Sequence, residues 1–330
     1  MLRIIGGVLI AILVLISARW FFAWTPPIFS KDAISDLTAV EINGDRQFLL
    51  LRGEDKSKPV LLFLHGGPGM PAMYLGHAFQ RPLEKDFVVV HWDQRASGKS
   101  YRDDIDPALI STSQLVADAE AVISYLQQRL GAEKVYLVGH SHGTYLGALL
   151  ASRRPELVKA YVGIGQVADM SREIPVQDAF LKTRLSMLGL PESTEISGAN
   201  REDLLFQTGS ELYGETSFTP LLVTGLFAPE YSLSDVMKVR AGSSFSSANM
   251  KRDMIDGPML ETVTQFSTPV YFVMGEHDMV TPVSLAREYF DRVDAPKKTW
   301  IAYGSSAHFP FFEEPEKFAA DMKRIAAENE

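Results

Sequence analysis

The sequence predicts an α/β fold: a mostly parallel sheet covered by helices on both faces, with a helical insertion. Three observations predict it. Strand-like apolar runs alternate with helical periodicity, the order that parallel sheets require. Gly139-His140-Ser141-His142-Gly143 lies between an apolar strand at 134–138 and an apolar helix from Thr144. G-x-S-x-G in strand–turn–helix context is a nucleophile elbow: a tight turn holds the serine in a strained conformation and projects its Oγ from the sheet end. Finally, the alternation breaks over residues 166–251 and then resumes.

The elements follow in order. Residues 4–24 are almost entirely apolar. As a helix they would run roughly 30 Å, the thickness of a bilayer core. Arg19 near the end can snorkel, and Trp20 and Trp24 suit an interface. A cleaved signal peptide is the competing reading, but no A-x-A-like site is well formed. The expectation is therefore a transmembrane anchor at 1–24, a lipid bilayer as partner, and a linker at 25–37. Arg3 flanks the run on one side and Arg19 and Lys31 on the other, which orients it weakly. The expected localisation is a single-pass membrane protein with its catalytic domain outside the cytoplasm.

The first part of the core is expected at 38–165. Strand-like runs at 38–42 and 47–52 flank Asn43-Gly44, a hairpin signal. Residues 60–64 and 87–91 read as buried strands, 112–130 as an amphipathic helix stopped by Gly131, and 160–164 as a further strand. The stretch 166–251 reads as a helical cap. The second part of the core, 252–330, has strands at 269–274 and 299–302 and helices at 282–290 and 315–327.

Composition removes several function classes. A net charge of −9 argues against nucleic acid as a partner. The absence of cysteine excludes disulfides, a thiol nucleophile and thiolate metal sites. Ser97-Gly98-Lys99-Ser100 resembles the end of a phosphate loop, but the required first glycine is Asp93.

A serine nucleophile needs a base, an acid to orient the base, and donors for the oxyanion. Chain order Ser, acid, His selects His308, in the loop after the last strand, with His277 as the rival. Asp278 in Gly275-Glu276-His277-Asp278 follows the preceding strand directly and is the expected acid; Asp169 is the alternative. Glycines in His65-Gly66-Gly67-Pro68-Gly69 let backbone N–H groups face a substrate carbonyl. Gly67 or Gly66 is expected to supply one oxyanion donor and the N–H of His142 the other. This chemistry requires no metal or cofactor. A catalytically silent anchored binding protein is the reading from a different class, and the complete set of triad candidates argues against it.

These residues resemble the α/β-hydrolase superfamily and, more narrowly, the proline iminopeptidase family of serine peptidases. The likeness is carried by His65-Gly66-Gly67-Pro68-Gly69, Asp93-Gln94-Arg95, the Ser141 elbow, Gly275 to Asp278, and His308 with Glu313-Glu314-Pro315. It implies an α/β-hydrolase fold and an aminopeptidase acting on small peptides or amides, with a carboxylesterase or lipase-like enzyme as the alternative on the same machinery. Epoxide hydrolases and dehalogenases of this fold carry aspartate where Ser141 stands. Two positions depart from the family pattern: His142 stands where tryptophan is usual, and Ala96 where glycine is usual. The resemblance further implies acidic cap residues that hold the substrate's free amine. Glu173, Glu195, Glu202 and Glu211 are the candidates in the cap stretch.

Overall fold

A computed structural model describes residues 17–18, 21–198, 200–250 and 258–330. One eight-stranded sheet runs through it in the order β1-β2-β4-β3-β5-β6-β7-β8. The strands are β1 (Ile34–Ile42), β2 (Asp45–Gly53), β3 (Val60–Leu64), β4 (Val88–Asp93), β5 (Val135–His140), β6 (Val158–Ile164), β7 (Val270–Gly275) and β8 (Lys298–Tyr303). β1 and β2 form an antiparallel hairpin whose turn residues, Asn43 and Gly44, have φ of 46° and 73°. Two successive positive φ values are what a two-residue turn needs to match strand twist, and Asn-Gly supplies them cheaply. β2 pairs antiparallel with β4, and every other pairing is parallel.

The central strands are buried throughout because both faces are covered. Alternate residues of β3 serve opposite faces. Leu62 and Leu64 join a core with helices α2 (Thr112–Leu130) and α3 (His142–Arg153). Leu61 and Phe63 join a second core with α1 (Met73–Phe79), α10 (Pro310–Glu313) and α11 (Pro315–Ala327). The sequence reading misses α1, a seven-residue helix with Gly76 at its centre, too short and too interrupted to show periodicity. Between β6 and β7 lie α4 (Met170–Lys182), α5 (Arg201–Gln207), α6 (Thr219–Leu226) and α7 (Leu233–Asn249), followed by a four-residue α8 (Met259–Thr262). α9 (Val283–Arg292) connects β7 to β8.

The expected anchor needs correction. Residues 4–16, 19 and 20 of that run lie outside the described residues. Among the described residues no helix is long and apolar enough to cross a membrane. The described end of the run is instead fastened to the folded unit: the Trp24 N–H donates to the Pro229 carbonyl at 2.9 Å. Buried Arg52 donates to the Thr25 hydroxyl at 2.5 Å and the Pro26 carbonyl at 2.6 Å. The single-pass localisation and the bilayer as partner through residues 4–24 are therefore withdrawn. Within the stretch expected as a linker, β1 already begins at Ile34.

Candidate active site

The parallel strands β3, β5, β7 and β8 all deliver candidate groups from their carboxyl ends, where an open α/β sheet leaves a crevice. Ser141 sits between β5 and α3 with φ 53° and ψ −123°. For a residue with a Cβ this is a strained conformation, costing on the order of 1–3 kcal/mol, and it persists because the surroundings dictate it. The flanking glycines show how. A Cβ on Gly139 would lie 2.5 Å from the Gly143 carbonyl oxygen, and one on Gly143 would lie 2.1 Å from that of Leu64. The Ser141 N–H donates to the Ile164 carbonyl at 2.9 Å, and its own carbonyl accepts from the Thr144 hydroxyl at 2.6 Å.

Asp278 follows β7 and is fully buried. One carboxylate oxygen accepts from the backbone N–H groups of Val280 (2.9 Å) and Thr281 (3.0 Å). The other accepts from the Thr281 hydroxyl at 2.8 Å and from His308 Nδ1 at 2.9 Å. A carboxylate in this setting accepts, so Nδ1 carries the proton and Nε2 is the basic nitrogen of His308. Burial pulls the His308 pKa down, but the adjacent Asp278 carboxylate, with Glu211 and Glu313 behind it, outweighs burial and raises it above 6.5. The His308 carbonyl accepts from His140 Nε2 at 2.8 Å, and its N–H donates to the Glu211 carbonyl at 3.0 Å.

Ser141 and His308 line one cavity of about 380 Å³, together with Gly66, Gly67, His140, Glu202 and Glu211. A Cβ on Gly66 would meet that of Ser141 at 2.9 Å, so the glycine loop lies against the serine. Gly67 has φ 111°, a conformation only glycine adopts readily. His142 is the first residue of α3, where backbone N–H groups and the helix dipole favour developing negative charge; its ring stacks on Tyr145. His65 braces this loop from below. Its Nδ1–H donates to the Gly66 carbonyl at 2.9 Å, and its Nε2 accepts from the Gln94 N–H at 3.2 Å. Burial lowers its pKa to about 4, so it stays neutral and keeps that pattern.

The rival assignments separate by position. His277 is exposed, its ring against that of Tyr213 at a 31° tilt. His91 is packed between Phe63 and Phe79, and burial pushes its pKa down to about 3. Asp169 caps α4, accepting from the Ser171 N–H at 3.0 Å and the Ser171 hydroxyl at 2.6 Å, whereas His308 is bonded to Asp278. Asp93-Gln94-Arg95 is structural. Arg95 makes a bidentate pair with Asp118 at 2.8 and 3.0 Å. Ala96, at the position where glycine is usual in the resembled family, has φ 60°. Lys99, the pseudo-phosphate-loop lysine, pairs with Asp235 of α7 at 2.6 Å and so ties the cap to the core.

Of the four cap glutamates, Glu202 and Glu211 line the cavity, whereas Glu195 is exposed and Glu173 is half-buried outside the lining. Glu211 is 9% exposed, and burial raises its pKa to about 8. Sequence reasoning missed Glu313. Its carboxylate accepts from the N–H groups of Ala307 (3.0 Å) and Phe309 (3.0 Å), on either side of His308, and of Tyr213 (2.6 Å). Its only signal in the sequence is its place in Glu313-Glu314-Pro315 after His308.

A sequence model of the alpha/beta hydrolase fold matches residues 59–315. The Bacillus subtilis protein named "Probable aminopeptidase YbaC" is 30% identical over 312 residues, covering 90% of this chain and 98% of its own. A proline iminopeptidase of Heyndrickxia coagulans is 24% identical over 85% of this chain and 95% of its own. Among solved structures, a proline iminopeptidase-related protein of Thermus thermophilus superposes with a TM-score of 0.63 at 20% identity, over 90% of this chain and 98% of its own. That last likeness concerns the fold.

Proposed function

This chain belongs to the alpha/beta hydrolase fold family and is a hydrolase, and from that premise we propose that it is a serine aminopeptidase releasing an N-terminal residue, proline or another small one, from short peptides or amides. Ser141 Oγ attacks the scissile carbonyl. His308 Nε2 takes the hydroxyl proton and returns it to the leaving amine. Asp278 holds the imidazole in the Nδ1–H form and stabilises the imidazolium. The backbone N–H groups of Gly67 and His142, in a loop shaped by Gly66, receive the oxyanion; loss of one such donor costs roughly 10²–10³ in turnover in other serine hydrolases. Water then attacks the acyl-enzyme by the same proton path in reverse.

The observation that carries the amine specificity is Glu211, a buried carboxylate in the cavity that holds Ser141 and His308. An isolated buried carboxylate is costly unless a cation meets it. A substrate ammonium, with Glu202 on the same wall, supplies that cation and draws the Glu211 pKa down on binding. The names of the relatives agree with this reading. The test compares kcat/KM for a prolyl arylamide with that for the same compound acylated on its amine. Acylation should remove activity by about 100-fold or more, because it removes the ammonium whose pairing with Glu211 offsets that group's burial. Inertness of both forms with turnover of short-chain aryl esters would replace the peptidase reading with the esterase one.

A further inference from the structure

A second cavity, of about 550 Å³, adjoins the catalytic one and shares Met70, Tyr74, Glu202, Phe218 and Ser243 with it. Its remaining wall is largely apolar, with Leu222, Val236 and Val239, and among the described residues its one lining cation is Arg240. Val236, Val239, Arg240 and Ser243 fall at helical spacing on a single face of α7, and Ser243 and Ser247 continue that face into the catalytic cavity. Ser247 to Arg240 is seven residues, about 10 Å along the helix, which is the reach of about three extended residues. Among the described residues no carboxylate lies within ion-pair distance of Arg240, whereas Arg201, which lines the catalytic cavity, is paired with Asp178 at 2.9 Å.

We propose that the second cavity receives the leaving portion of a short peptide and that Arg240 binds its C-terminal carboxylate. The inference rests on the aminopeptidase reading and names its substrate class: peptides of about three residues with both ends free. The ammonium meets Glu211 and Glu202, the first carbonyl meets Ser141, an apolar side chain of the leaving residues fills the wall of Phe218, Leu222 and Val239, and the carboxylate reaches Arg240. The planar guanidinium suits a carboxylate, which it meets with two parallel hydrogen bonds. An arylamide fills the first cavity without reaching Arg240. A longer chain has no carboxylate at that distance.

The test uses the tripeptide Pro-Leu-Leu, its C-terminal amide, and prolyl arylamide. The wild type should favour the acid over the amide by about tenfold in kcat/KM, mostly through KM, the size of a partly desolvated ion pair. Arg240→Gln should lower the acid alone by about that factor, leaving the amide and the arylamide within about twofold, and Arg240→Lys should restore part of the loss. Equal rates for acid and amide in the wild type, or a loss shared by all three substrates, would overturn the subsite. Calorimetric binding of the acid and the amide to Ser141→Ala, with and without Arg240→Gln, separates this from the parent reading. If neither the tripeptides nor the arylamide is cleaved, the aminopeptidase reading fails. The subsite then stands if Arg240 still confers preference for the acid, and falls if it does not.

Discussion

Ser141 and Glu211 line the same cavity but are held there by different kinds of structure. Ser141 owes its place to its immediate neighbours: a strand before it, a helix after it, and two glycines whose missing Cβ atoms let the chain turn. Glu211 lies in an irregular stretch after α5. Its position depends on partners far away in sequence: the Met279 N–H donating to the Ser210 carbonyl at 3.1 Å, His308 donating to Glu211 itself, and Tyr213 donating to Glu313. In the core, local sequence sets the chemistry. In the cap, tertiary contacts set what the chemistry acts on.

The strongest test of that contrast lies in the core. Ser141→Ala should lower turnover of any substrate by about 10⁵–10⁶-fold, abolish labelling by a fluorophosphonate probe, and leave Tm within a few degrees. Asp278→Asn should cost on the order of 10⁴, because the amide loses the acceptor that fixes the His308 tautomer. Asp169→Asn should change turnover only a few-fold, since Asp169 caps a helix. The reverse ranking of the two aspartates would show that a group outside the β7 loop orients the base.

Glu211→Gln probes the cap. It should lower kcat/KM for free-amine substrates by about 100-fold while leaving acylated substrates and esters nearly unchanged. The pH profile carries a second signature. In the empty site burial holds Glu211 neutral up to about pH 8, so capture of an ammonium strengthens as pH approaches that value and weakens again once the substrate amine, with an ordinary pKa of about 8, gives up its proton. His308, raised above 6.5 by Asp278 against the opposing effect of burial, must also lose its proton to act as base and contributes to the same acidic limb. The substitution should remove the Glu211 component and keep that of His308. Stability moves the opposite way. The folded protein holds a proton that the unfolded chain releases between the ordinary value of 4.5 and about 8, so wild-type stability falls as pH rises across that window. Glu211→Gln should flatten that slope in chemical denaturation.

These differences match what was legible in the sequence. Strand β3 and helices α2 and α11 coincide with their periodic runs, and Asn43-Gly44 gives its hairpin. Ser141, Asp278 and His308 lie in the segments that follow β5, β7 and β8, and a 2.9 Å hydrogen bond joins the last two. The four cap glutamates were indistinguishable, because burial in an irregular segment leaves no periodicity to read. Glu313 is legible only as part of a motif, not in its role, since a carboxylate that collects backbone N–H groups looks, in sequence, like any surface glutamate. The apolar run at 4–24 suggested a bilayer, whereas the last of its described residues meets the protein's own Pro229.

The smallest expected effect belongs to Ala96. At φ 60° an alanine is strained by about 1–2 kcal/mol, and glycine relieves this while gaining entropy in the unfolded chain. Ala96→Gly should raise Tm by about 1–3 °C with unchanged kcat/KM. A lower Tm would mean that the methyl group's packing with Ile105 and Ile110 outweighs the backbone term.

Glu313 works as an interlock. The cap loop and the loop of His308 are latched by two hydrogen bonds, one from Tyr213 to the Glu313 carboxylate and one from His308 to the Glu211 carbonyl. Displacing the cap loop to admit a bulky chain would break both, while the Glu313 bonds to Ala307 and Phe309 would remain. The bonds that seat the proposed amine-binding carboxylate thus also brace the loop of the proposed base, so on this reading a substrate that displaces the cap loop meets a less ordered imidazole.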